Sequence, residues 1–157
     1  MKRVLFLETE TFDSILRLGS HHLARLFKRN AWEVLWLGQF VHPFNLIDKR
    51  DKGKHLEGYW KGVRKSPEGI LYYSPFTWLP YLRYPFWDML FFANNSLRFA
   101  TPPLPLVLKE CGFANVDLLF VNNIKLISVR KVINCRKTLL RIPDDITGFT
   151  HHPRTIS

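Results

Sequence analysis

Gly19-Ser20-His21-His22 brings a flexible turn, a hydroxyl and two imidazoles together in consecutive positions. At the start of a helix these residues would gain free backbone N–H groups and the positive end of the helix dipole. Both suit a phosphate or a developing oxyanion. An imidazole that titrates near neutral pH can serve there as general base toward a hydroxyl. On this reading His21 and His22 are the catalytic candidates, and Gly19 and Ser20 bind the same ligand. The alternative is that both histidines are ordinary first-turn residues, one exposed and one hydrogen-bonded to the preceding loop.

The other common chemistries have no matching pattern. There is no glycine-rich loop ending in Gly-Lys-Ser/Thr and no Gly-x-Gly-x-x-Gly after the first apolar run, which argues against tight nucleoside-triphosphate or dinucleotide binding. Neither His-Glu-x-x-His nor a nucleophile elbow occurs. His42, His55, His151 and His152 lack metal-ligand spacing. Neither a cofactor nor a metal is therefore expected. Asp144 and Asp145 remain as polar groups near the end of the chain, able to bind sugar hydroxyls, to orient a histidine, or to cap a turn.

These residues need elements to hold them. Val4 to Glu8 is an apolar run of strand length. A helical pattern starts at Gly19, with Leu23, Leu26 and Phe27 on one face and Arg25, Lys28 and Arg29 on the other; Asn30 is placed to close it in a left-handed cap. Glu33 to Leu37 is a second strand. Strand, crossover helix and strand form a right-handed unit with parallel strands, so the loop after the first strand opens at the carboxyl edge of a sheet. That edge is where open parallel sheets bind ligands.

Farther on, Phe40, Val41 and Phe44 are expected to tuck under a loop. Lys49 to Lys65 carries seven basic residues against Asp51 and Glu57 and is broken by glycines, the pattern of an exposed loop or of a basic lip for phosphates. Gly69 to Tyr73 is a third strand. Phe76 to Phe92 is dense in aromatic rings, and Pro75, Pro80 and Pro85 exclude a membrane-spanning helix there. Its rings suit a core, a pocket lining or a membrane interface. Pro102 to Pro105 starts a helix that Gly112 ends. Val116 to Val121 has the near-continuous apolar pattern of a central parallel strand. A short helix over Lys125 to Val132 leads to a fifth strand, Thr138 to Ile142.

Strands alternating with helices predict an α/β, doubly wound, mainly parallel sheet of order 3-2-1-4-5, with ligand at the switch between strands one and four. Residues 1–146 form the domain and 147–157 an irregular tail, so the last strand is expected to lack its covering helix. The chain has 157 residues, an apolar share of 46% and a net charge of +10. Those values fit one globular domain whose charge serves either an anionic partner, such as nucleic acid, anionic lipid or a phosphate-bearing molecule, or solubility alone. Cys111 and Cys135 are too few and too far apart for a disulfide framework or a metal knuckle, which suggests reduced thiols and a cytoplasmic setting.

Several stretches in order resemble the amino-terminal half of a GT-B glycosyltransferase of the group-one, polysaccharide-assembly kind. They are Val4 to Leu7, Gly19 to Phe27, Trp32 to Leu37, Gly112 to Val121, and Leu140 to Phe149. The resemblance implies a Rossmann-like domain that holds the acceptor. A carboxy-terminal partner domain would hold the nucleotide-sugar, and transfer would occur in the cleft between them. By resemblance, Ser20, His21 and His22 line the acceptor side, with Asn122, Asp144 and Asp145 nearby. The aromatic segment would favour a sugar or lipid-linked acceptor, and the basic surface would hold the protein on the inner face of an anionic membrane. The donor half's glycine-rich phosphate loop does not occur in this sequence, so the expectation is a half-enzyme, inactive when alone. The alternative class is a basic module for nucleic acid or an anionic membrane surface. Nucleic acid is disfavoured because the rings cluster with prolines and do not interleave with Arg and Lys.

Overall fold

A computed structural model describes residues 1–14, 19–41, 62–78 and 96–141. β1 (Arg3–Leu7), α1 (Gly19–Arg29) and β2 (Glu33–Leu37) form the expected strand–helix–strand unit. β3 (Arg64–Lys65), β4 (Leu71–Tyr73), β5 (Phe76–Thr77), a 3₁₀ turn (Ser96–Phe99) and β6 (Ala100–Thr101) follow. The remaining elements are α2 (Leu104–Glu110), β7 (Asn115–Val121), a 3₁₀ segment (Ile124–Lys131) and β8 (Asn134–Leu140). The result is a mixed α/β protein with a mostly parallel six-stranded sheet of order β3-β4-β2-β1-β7-β8, consistent with a Rossmann-like fold. β5 and β6 pair separately as a two-stranded antiparallel sheet.

The order differs from the expected 3-2-1-4-5 because the sheet has a sixth strand. β3 adds antiparallel to the outer edge of β4, within a stretch that the sequence presents as a basic loop. Two residues are too few to show a period. What holds them is tertiary: Arg64 pairs with Asp13 at 2.9 Å and stacks over Tyr72 at 4.5 Å. The five strands read from sequence correspond to β1, β2, β4, β7 and β8, and neighbours among these run parallel. The last begins earlier than expected, at Asn134, and the segment before it is 3₁₀ and not α. The tail, the expected missing cover helix and most of the aromatic stretch lie outside the described residues.

β1 alternates between two cores. Val4 and Phe6, with Val34, Trp36 and Phe120, pack beneath Ala24, Leu23 and Phe27 of α1. Leu5 and Leu7, with Leu35, Leu37, Leu119 and Val121, pack against Leu104, Val107 and Leu108 of α2. Covering both faces is what allows a parallel strand to be apolar throughout. Aromatic contacts tie the first layer together: Phe6 stacks on Trp36 with centroids 5.8 Å apart and tilts against Phe120 at 4.9 Å. Leu26 lies outside the buried face of α1 and is 54% exposed. It is two positions from Ala24, and at 3.6 residues per turn that is about half a turn away. Phe40 and Val41 are buried, while Phe44 lies outside the described residues.

The two helices end in the same way with different residues. In α2, Phe113 N–H donates to Leu108 O and Gly112 N–H to Lys109 O, with Gly112 in the left-handed region at φ +78°. In α1, Trp32 N–H donates to Phe27 O and Ala31 N–H to Lys28 O, and Trp32 packs edge-on against Phe27 at 5.0 Å. This is a Schellman cap with its hydrophobic contact. The left-handed residue is Ala31, at φ +62°, and not Asn30, whose side-chain amide donates to Leu26 O instead. An L residue with a Cβ is strained in that conformation. Ala31→Gly should therefore raise unfolding free energy by about 1 kcal/mol, read by urea denaturation. A destabilised variant would contradict this account of the cap.

Candidate functional site

β1 delivers Glu8 to the carboxyl edge of the sheet, at the point where the chain's connections leave β1 toward β2 on one side and reach β7 on the other. Glu8 N–H continues the ladder to Leu37 O at 2.9 Å. From the β7 side, Asn122 N–H and Asn123 N–H both donate to Leu7 O, at 2.9 and 3.0 Å. These backbone bonds bring the Glu8 and Asn122 side chains face to face. Asn122 Nδ2 donates to Glu8 Oε2 at 2.7 Å. Glu8 is fully buried.

The first turn of α1 closes the same site. Ser20 is fully buried, and its Oγ faces the Glu8 carboxylate while stopping short of a full hydrogen bond. Gly19 lies against the guanidinium of Arg141, so that a Cβ at Gly19 would sit 3.6 Å from Arg141 Nη1. Arg141 is held at the end of β8 by its N–H to Val121 O at 2.8 Å. Glu8 Oε1, Asn122 Oδ1 and Ser20 Oγ are each buried without a hydrogen-bond partner. Buried polar groups normally find partners, so three orphans in one place mark a position at which donors from outside the chain would be welcome.

Burial pushes the Glu8 carboxyl above the ordinary glutamate range; the Asn122 amide, the Ser20 hydroxyl and the Arg141 charge pull the other way without overcoming it. A carboxyl tuned upward in a polar pocket can accept a hydrogen bond from a ligand hydroxyl or take its proton. Among the described residues no three His, Cys, Asp or Glu side chains are grouped to hold a metal ion.

Of the residues expected from sequence, Gly19, Ser20 and Asn122 converge on this rim. His21 does not face it. It is fully buried between Trp36, with centroids 4.4 Å apart, and Phe12 at 5.4 Å, on the α1 side of the sheet. His22 is exposed on the helix surface. Successive residues of a helix are rotated by about 100°, so adjacent histidines cannot share a direction. Asp144 and Asp145 lie outside the described residues. Glu8 and Arg141 are additions that sequence reasoning missed. The signal for Glu8 was present: an acid closing an apolar strand, where a sheet of this kind places its ligand. Farther along α1, Arg25, Lys28, Arg29 and Glu68 line a separate basic depression, within which Arg25 Nε is paired to Glu68 at 2.9 Å.

No family model, curated protein or solved structure matches this chain. The fold and the rim thus define a class by geometry: a mostly parallel α/β domain with a buried carboxylate at the switch point of its sheet.

The raised carboxyl links stability to pH with a definite sign. Its folded value exceeds its unfolded value, so the folded state holds the proton more tightly, and stability falls as pH rises from the ordinary glutamate value through the raised one. Glu8→Gln removes that slope while leaving an oxygen to accept from Asn122. Urea unfolding over a pH series should show wild type losing stability relative to Glu8→Gln as pH rises across that window. A difference independent of pH would contradict it.

Proposed function

We propose that this chain is the acceptor-binding half of a glycosyltransferase, transferring a sugar from a nucleotide-sugar to a glycan or lipid-linked acceptor. The observation that carries the reading is the buried Glu8 carboxylate bonded to Asn122 at the sheet's switch point, with Ser20 of the α1 N-terminus beside it. Glu8 Oε1 and Asn122 Oδ1 can each accept a hydrogen bond, and Ser20 Oγ can accept or donate. That set suits a ligand with several adjacent hydroxyls, which is what a sugar acceptor offers. Arg141 keeps the rim from being purely anionic and so makes it a poor cation site. The likeness of the sequence to the acceptor side of GT-B enzymes adds weight in the same direction.

On this reading Glu8 accepts the acceptor hydroxyl and takes its proton, Asn122 orients the carboxylate, and Ser20 and Gly19 let the ligand approach the helix N-terminus. His21 supports the wall through Trp36. A donor-binding half with a glycine-rich phosphate loop would complete the enzyme.

Saturation-transfer NMR with a panel of mono- and disaccharides, and separately with nucleotide-sugars, tests the proposal. The acceptor sugars should show contact and the nucleotide-sugars should not. Glu8→Gln should weaken sugar binding roughly tenfold, the scale of one charge-assisted hydrogen bond. Sugar contact that Glu8→Gln and Asn122→Ala leave unchanged, or tight binding of nucleotide-sugars alone, would overturn it.

A further inference from the structure

β8 closes the sheet on the side opposite β3. It is seven residues long, pairs with β7 from Asn115↔Asn134 to Val121↔Leu140, and among the described residues has no strand on its other side. Every residue of it except Cys135 is exposed. Leu139 and Leu140 are 46% and 47% exposed, which is unusual for neighbours on a strand. Along β8 and the 3₁₀ segment before it the charge has one sign, although Asp117 of β7 stands across from Arg136 in the register. Arg136 and Lys137 lie on the strand, Arg130 Nε reaches its Thr138 hydroxyl at 3.3 Å, and no Asp or Glu occurs between Asp117 and Asp144. Positive residues on an edge discourage chance pairing with other edges, but such an edge still pairs well with a strand of opposite charge.

We infer that the outer edge of β8 is a docking site for an acidic polypeptide segment that adds to the sheet in extended form. The charge and the side-chain pattern of the edge select this occupant. Successive strand residues point to opposite faces, so Arg136 and Lys137, and likewise Leu139 and Leu140, are split between the two faces. An added strand meets both faces alternately and can use all four side chains, with acidic residues beside the cations and apolar ones beside the leucines. A lipid surface could meet only one leucine at a time, and the open backbone edge would be costly to place in hydrocarbon. A second copy of this chain is disfavoured because two β8 edges would set Arg136 and Lys137 against their own like charges. Nucleic acid is disfavoured because β8 carries no aromatic ring for a base to stack on.

The test is titration of the whole chain with a short peptide alternating Glu and Val, and with the matching Lys–Val peptide, followed by amide hydrogen exchange. The acidic peptide should bind in a salt-sensitive manner and slow exchange along β8, while the Lys–Val peptide should not. Arg136→Glu combined with Lys137→Glu should weaken the acidic peptide roughly tenfold and favour the basic one. Should that double variant not fold, the protection map on wild type decides alone. Absence of peptide binding, protection elsewhere than β8, or binding only to vesicles containing phosphatidylserine would overturn the inference.

Discussion

The confinement of β1 governs the rest of the molecule. It is hydrogen-bonded in parallel on both edges, to β2 and β7, and covered by apolar layers on both faces. The enclosed residues of such a strand, Val4 to Leu7, must be apolar, and the next polar residue along the chain emerges at the carboxyl edge of the sheet. In this chain that residue is Glu8. Because β7 is in register with β1 from Val4↔Leu118 to Leu7↔Val121, the first residue after β7 arrives beside it, and that residue is Asn122. The 2.7 Å bond between them is thus a consequence of register, and register follows from burying both faces.

The electrostatics of the rim rest on the same geometry. A carboxylate removed from water is expensive unless donors and charges surround it. Glu8 receives one side-chain amide, a nearby hydroxyl and a guanidinium at a short remove, yet burial still dominates. The positive end of α1 adds support, since the helix begins at Gly19 beside the carboxylate. A group held in this partly satisfied state is responsive: hydroxyl donors from a ligand would complete its shell, and a neutral pocket would forfeit that gain.

Much of the architecture was legible in the amino-acid sequence because it follows from burial. The run Val4 to Leu7 is wholly apolar and Val116 to Val121 is apolar save for Asp117, and both belong to central parallel strands. Gly112 announced its left-handed cap; Ala31 did not, since nothing in an alanine signals that conformation. β3 was illegible because two residues of antiparallel pairing depend on Arg64 finding Tyr72 and Asp13, contacts made in space and not along the chain. The site was half legible. Gly19, Ser20 and Asn122 were placed by their position after strands and before a helix. The residue type of His21 suggests a reacting group, whereas helix phase turns it toward Trp36. Glu8 reads in sequence as the last residue of an apolar run, and only the fold shows that Asn122 and Ser20 meet it there.

The most direct measurement is the titration of Glu8 itself, by carboxyl ¹³C NMR on glutamate-labelled protein. The account requires a midpoint above the ordinary glutamate range, moving higher still in Asn122→Ala, where the amide that favours the charged form is lost. An ordinary midpoint, indifferent to Asn122, would mean that Glu8 is neither buried nor bonded as described, and the switch-point site would lose its foundation.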